Sequence, residues 1–170
     1  FDRIEITGAA TATGPQFPNG VRVDVETTAT RLASAESYGF VLRSGNRNLL
    51  KAAGQLPAGT GSLDGTWALD ARSEDLSPFA LGRPLPEFSA SGAGTFSLER
   101  HFDEVQVAGR VDASGRRLEV IKPELWALGP VRVAADFDLL SRDSAVRVSR
   151  LQLDLSSEKP VAGVTLLQGV

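Results

Sequence analysis

The sequence predicts an all-β protein: a long, curved antiparallel sheet that forms a half-open groove with an apolar concave face. Three observations predict it. Apolar and polar residues alternate with period two through most of the 170 residues. Turn-forming stretches punctuate the alternating runs. Helix-forming patterns are few and short. A closed β-sandwich is the alternative, and it is the default for such a composition. Two features lean away from it. The runs Val131–Leu140 and Ala145–Ser156 would each span about 30 Å or more, long for a sandwich. The apolar residues are mostly modest aliphatics, and aromatics make up only 6% of the chain.

The elements follow in order. "RIEI" sets Ile4 and Ile6 on one side. "GPQFPNG" carries two prolines and a closing Asn-Gly, a hairpin signal. "VRVDVETTATRL" places Val21, Val23, Val25, Thr27 and Ala29 on one face, opposite Arg22, Asp24, Glu26 and Thr28. "YGFVLRS" is a shorter apolar run, followed by the turn "SGNRN". "RNLLKAAGQL" favours a short helical turn, because Leu, Lys and Ala are good helix formers. This region interrupts the alternation. After "PAGTGS", "SLDGTWALDARS" groups Trp67, Leu69 and Ala71. "SEDLSPFAL" predicts a brief helix with Ser73 as its cap and Glu74 and Asp75 in the first turn, limited by Pro78.

"RPLPEF" is an extended linker between halves that share a Gly-Thr-aromatic-x-Leu start. "GTFSLERHF" gives Phe96 and Leu98; "DEVQVAGRVDAS" gives Val105, Val107 and Val111. A Gly-rich connection, "ASGRR", precedes "RRLEVIKPELWALG", with Leu118 and Val120 alternating before Pro123. In the last long runs the apolar positions are Val131, Val133, Ala135, Phe137 and Leu139, then Val146 and Val148, then Leu151, Leu153 and Leu155. Parity breaks across Ser149-Arg150. One extra residue, a β-bulge, keeps both halves on the same side; without it the leucines would face water. "VAGVTLLQ" reads as a final strand.

Composition narrows the function classes. The net charge is −3, with the signs interspersed and no basic stripe, so nucleic acid is not an expected partner. The absence of cysteine removes disulfides, thiolate metal sites and cysteine nucleophiles. Methionine is absent too, and "FDRIEITG" starts as a strand in progress, so the chain reads as a piece of a longer one.

No catalytic or metal constellation emerges. His101, the single histidine, lies in "ERHFDE" beside Glu99, Asp103 and Glu104 and reads as a polar residue near a hairpin end. Gly92 and Gly94 in "SGAGTFS" lead into a strand rather than a helix. They therefore relieve crowding at a strand start and cradle no phosphate. The pairs Glu74/Asp75, Asp103/Glu104 and Asp136/Asp138 read as solvated outer-face charge. Trp67 and Trp126 read as fillers of core space, Trp67 with a possible ligand-facing role. No enzyme activity and no cofactor are expected.

The alternation then needs an explanation. An antiparallel sheet with one apolar face must cover that face. Helical content is too small for a layer. A trough left open is an apolar patch that soluble proteins avoid unless it has a partner. Acyl chains suit it: each buried methylene contributes about 0.8 kcal/mol, and a bilayer offers a similar gain, so exchange costs little. The candidate groove-lining residues are Trp67, Leu69, Phe96, Leu98, Val105, Val107, Val131, Val133, Phe137, Leu139, Val146, Val148, Leu151, Leu153 and Leu155. If the sheet instead closed as a sandwich, a protein-binding or adhesion module of a bacterial surface protein would be the expected role.

Several stretches carry a family resemblance: "GTWALDARSEDLSPFALGRPLPEFSASGAGTF", "VQVAGRVDASGRRLEVIKPELWALGPVRVAADFDLL" and "VSRLQLDLSS". The chain resembles segments of the AsmA-like and TamB-like proteins of the diderm bacterial envelope. The resemblance implies a repeating half-open β-groove, or β-taco, and no catalytic residues. It implies phospholipid transport between the inner and outer membranes, or a role in outer-membrane assembly. It also implies a periplasmic location, with the parent chain anchored in the inner membrane. Expected partners are phospholipid acyl chains, neighbouring β-repeats and outer-membrane assembly proteins. On this reading residues 1–170 are one groove segment, with a sub-repeat boundary near 82–92.

Overall fold

The computed structural model describes residues 2–14, 17–80, 83–99, 103–142 and 145–157. Among these residues nine antiparallel strands form one sheet in chain order: β1 (Arg3–Gly14), β2 (Phe17–Arg31), β3 (Ala35–Ser44), β4 (Arg47–Pro57), β5 (Ser62–Arg72), β6 (Glu87–Glu99), β7 (Glu104–Arg116), β8 (Val131–Arg142) and β9 (Ala145–Ser157). Short connections favour this meander, since a tight turn returns the chain beside itself. Between β3 and β4 the turn is two residues, Gly45-Asn46, and Gly45 takes the positive φ of 56° that such turns demand. Between β4 and β5, Gly59 adopts a φ of 81° and the Thr60 hydroxyl donates to the Pro57 carbonyl at 2.9 Å.

The sheet is open. Among the described residues β1 pairs only with β2, and β9 only with β8, so each end of the row is an unpaired edge there. Among the described residues no second sheet lies against it, and the closed sandwich does not form. Among the described residues only two apolar side chains reach burial, Leu49 at 8% and Val131 at 9% exposure, and none is fully enclosed. The accessible surface is 11737 Å². A compact monomer of 18.0 kDa would expose roughly 8000 Å².

Among the described residues, helical structure is confined to two connections. After β5 come α1 (Ser73–Leu76) and a 3-10 turn over Ser77–Ala80. After β7 come 3-10 turns over Leu118–Val120 and Pro123–Leu128. Both connections leave from the same end of the strands, because β5 and β7 run in the same direction. At the opposite end, β2 and β3, and β4 and β5, are joined by short turns. The Ser77–Ala80 turn packs beside β2, three strands from where it left the sheet. No helix among the described residues is long and apolar enough to cross a membrane.

Several local expectations are corrected. "RNLLKAAGQL" is strand β4, not a helical turn; ladders to β3 and β5 on both sides outweigh its weak helix preference. Leu118 and Val120 belong to a 3-10 turn, not a strand. Arg117, at a φ of 56°, turns the chain out of the sheet, and Pro123 cannot donate to a ladder. Ala113–Arg116 lies within β7, so the connection starts at Arg117 rather than at "ASGRR". Gly14 pairs with Phe17, so Asn19 and Gly20 lie inside β2, where the register shifts, and not at the hairpin tip. The cap of α1 is not Ser73: the Asp75 carboxylate accepts the Arg72 N–H at 2.8 Å. The expected strand "VAGVTLLQ" and His101 lie outside the described residues.

Candidate functional site: the apolar trough

Register decides which side each side chain takes. Directly paired residues of an antiparallel ladder share a face, so the pairings trace rows across the sheet. One row runs Phe40, Ala52, Trp67, Gly94, Gly109, Phe137, Leu151. Its neighbour runs Tyr38, Gly54, Gly65, Phe96, Val107, Leu139, Val148. On the other flank run Leu42, Leu50, Leu69, Gly92, Val111, Ala135, Leu153. All fifteen residues nominated from the sequence fall on this one face. Leu98 pairs with Val105, Val133 with Leu155, Val146 with Ser141, and Val131 with Ser157.

The bulge is where parity required it. Arg150 pairs with Asp138 and Val148 with Leu139, so Ser149 is the extra residue. Leu151, Leu153 and Leu155 therefore stay with Val146 and Val148 on the apolar side. The first half joins the same face: Ile4 pairs with Ala29, Ile6 with Thr27 and Val25 with Leu42. The interrupted alternation of "SYGFVLRSGNRNLLKAAGQLP" resolves into a regular hairpin with one bulge near Leu42 and Arg43.

The apolar side is the concave one, and its floor is built from glycine. A Cβ added at Gly92 would lie 2.7 Å from the Arg110 carbonyl oxygen, and one at Gly109 would lie 2.6 Å from that of Ala93. Backbone approaches this close on the apolar side mark a bend toward it, and only glycine fits there. Gly92 and Gly94 thus sit mid-strand in β6, not at a strand start, although their role of relieving crowding stands. The vacated space is filled by aromatic rings. The Phe96 ring covers Gly65 and Gly54, and the Trp67 indole covers Gly94 and Gly109. Trp67 Nε1 donates to the Ala108 carbonyl at 3.2 Å, and its ring stacks on Phe137 with centroids 5.9 Å apart.

Along β9 the face opens to water: Val146 is 68% exposed, and Val148 and Leu155 just over a third. The other nominated residues are partly buried by their sheet neighbours, apart from the buried Val131. Trp126 departs from its expected core position: it sits on the connection after β7 at 67% exposure.

The opposite side is polar and laced with charge pairs. Arg43 meets Glu26 at 2.7 Å; Arg110 meets Asp112 at 2.9 Å and Asp136 at 3.3 Å; Gln106 donates to Asp138 at 3.0 Å. Asp136 and Asp138 are thus outer-face charge, as expected. The Arg110 hydrogen bond, together with its positive charge, holds the Asp112 carboxyl below the ordinary aspartate range. The shallow depressions on this side have walls of mixed polarity, such as Ser89, Asp112, Arg132 and Asp154. Among the described residues no group of acidic or histidine side chains is placed to hold a metal ion.

Alternation marked strands on both sides of Trp67, but the groove-lining residues nominated from it begin only at Trp67 and omit several later positions. Phe40, Leu42, Leu50, Leu63 and Val111 belong to the same face. The signal was present in "VRVDVETTATRL" and "YGFVLRS", whose alternation continues the later pattern. The glycine rows had no such signal, because a glycine's side is visible only through its partners. No family model, no curated protein and no solved structure matches this chain.

Proposed function

We propose that this chain shields acyl chains in its trough. In this reading it is a segment of a periplasmic envelope protein that moves phospholipid between the inner and outer membranes or serves outer-membrane assembly. The observation that carries the proposal is the continuous apolar face of nine strands, over which the described residues place no second layer. An uncovered apolar surface of this extent needs a partner. Among the described residues the trough has no enclosed end that would measure a ligand, since both edge strands are open there. Its lining is aliphatic and aromatic, so contact would be non-selective. A chain of about fifteen methylenes gains on the order of 12 kcal/mol on leaving water, nearly what a bilayer gives, which favours exchange over retention. The edges β1 and β9 would pair with neighbouring β-repeats of a parent chain, since an unpaired strand edge of such length invites augmentation.

Mass spectrometry of organic extracts from protein purified without detergent tests the proposal. Phospholipid at near-stoichiometric amounts is the expected result. A lipid-free protein that also takes up no phospholipid from vesicles would refute it.

A further inference from the structure

The acyl-chain reading leaves open where on the trough a chain is held, and this inference rests on that reading. We propose that Trp67 and Phe137, laid over Gly94 and Gly109, form a central seat on which an acyl chain lies against the indole face.

Four residues in register build it: Trp67 on β5, Gly94 on β6, Gly109 on β7 and Phe137 on β8. The two glycines leave a gap two strands wide, and the indole spans it. A Cβ at Gly94 would lie 2.8 Å from Trp67 Nε1, and one at Gly109 would strike the ring. Any larger residue would lift the indole off the floor. Phe137 closes the far side, its ring plane 19° from that of the indole. The bond to the Ala108 carbonyl matters for what remains exposed. With Nε1 satisfied by the sheet beneath, the indole has no polar group left to direct at water. A buried, unsatisfied N–H under a lipid chain would be costly. Here that cost is removed before any cargo arrives. The seat is therefore a preformed apolar platform near mid-strand, flanked by Leu69 and Phe96 in adjoining rows.

Trp67 can report on this directly, because the chain has only two tryptophans. In a W126F background, Trp67 is the sole emitter. The protein is equilibrated with vesicles of 1-palmitoyl-2-(9,10-dibromostearoyl)phosphatidylcholine, or with the unbrominated lipid, and then separated from them. Bromine quenches indole only at near-contact. At equal bound lipid, at least twofold lower emission with the brominated chain is expected. A control places the reporter on the other side of the sheet: T66W in a W67F/W126F background, where Thr66 is exposed on the polar face. Its emission should be the same with both lipids. Equal emission from Trp67 with both lipids, while extraction shows brominated lipid bound, would overturn the seat and leave the acyl-chain reading standing. Equal quenching of the T66W reporter would also overturn the seat. No lipid bound to any variant would remove the reading and the seat together.

Discussion

Leu153→Asp tests whether the apolar face is open to water. Leu153 lies on β9 opposite Ala135, partly buried, one row from the trough's centre. Losing the leucine forfeits most of the transfer gain of a mostly buried side chain, about 2 kcal/mol. The carboxylate adds little beyond this, because on an edge strand above an open trough it keeps much of its hydration. In a sealed core the same change would strand an unpaired charge at a further 3–5 kcal/mol, and in a domain of ordinary stability that approaches the whole margin. Urea unfolding followed by far-UV circular dichroism gives the stability, and extraction gives the lipid content. The expected outcome is a folded protein weakened by about 2 kcal/mol that has lost most of its lipid. A variant that cannot fold would refute the open-face argument. A folded variant with undiminished lipid would refute the trough as the binding surface.

Three further outcomes follow from the same structure. Deleting Ser149 removes the extra residue of the bulge while Arg150 and Val148 keep their partners; stability should change by less than about 1 kcal/mol, whereas inserting a serine after Gln152 should turn Leu153 and Leu155 to the polar side and lower the melting temperature steeply. Asp75→Ala removes the acceptor of the Arg72 N–H and the partner of Arg47 at 3.5 Å; a loss of about 1–2 kcal/mol in urea unfolding is expected, softened because Arg47 retains Asp70 at 3.0 Å. Asp112 has a folded pKa below its ordinary value, so its contribution to stability is present above the unfolded pKa and is lost as pH falls through the lower folded one; in Arg110→Gln, carboxyl NMR titration should show the Asp112 midpoint move upward, and an unmoved midpoint would refute the assigned cause.

Most strands were legible because alternation is a local property: a residue's side follows from its neighbours at i±2 wherever one face is apolar. Even the Ser149 bulge could be read this way, since a parity break in an otherwise strict pattern has few solutions. Connections were less legible. Arg117 and Pro123 divert "RRLEVIKP" from a strand into 3-10 turns, and the ladders around β4 override its helix preference. Propensity in both segments is weak, and long-range pairing decides.

The sequence alone determined that this chain makes long strands with one greasy side, because side-chain alternation and turn chemistry are written in adjacent residues. Only the tertiary structure decided that the sheet stays open, and that Gly94 and Gly109 lie beneath Trp67. Both facts depend on which strands meet and in what register, and those pairings join residues tens of positions apart whose contacts leave no periodic mark on the chain.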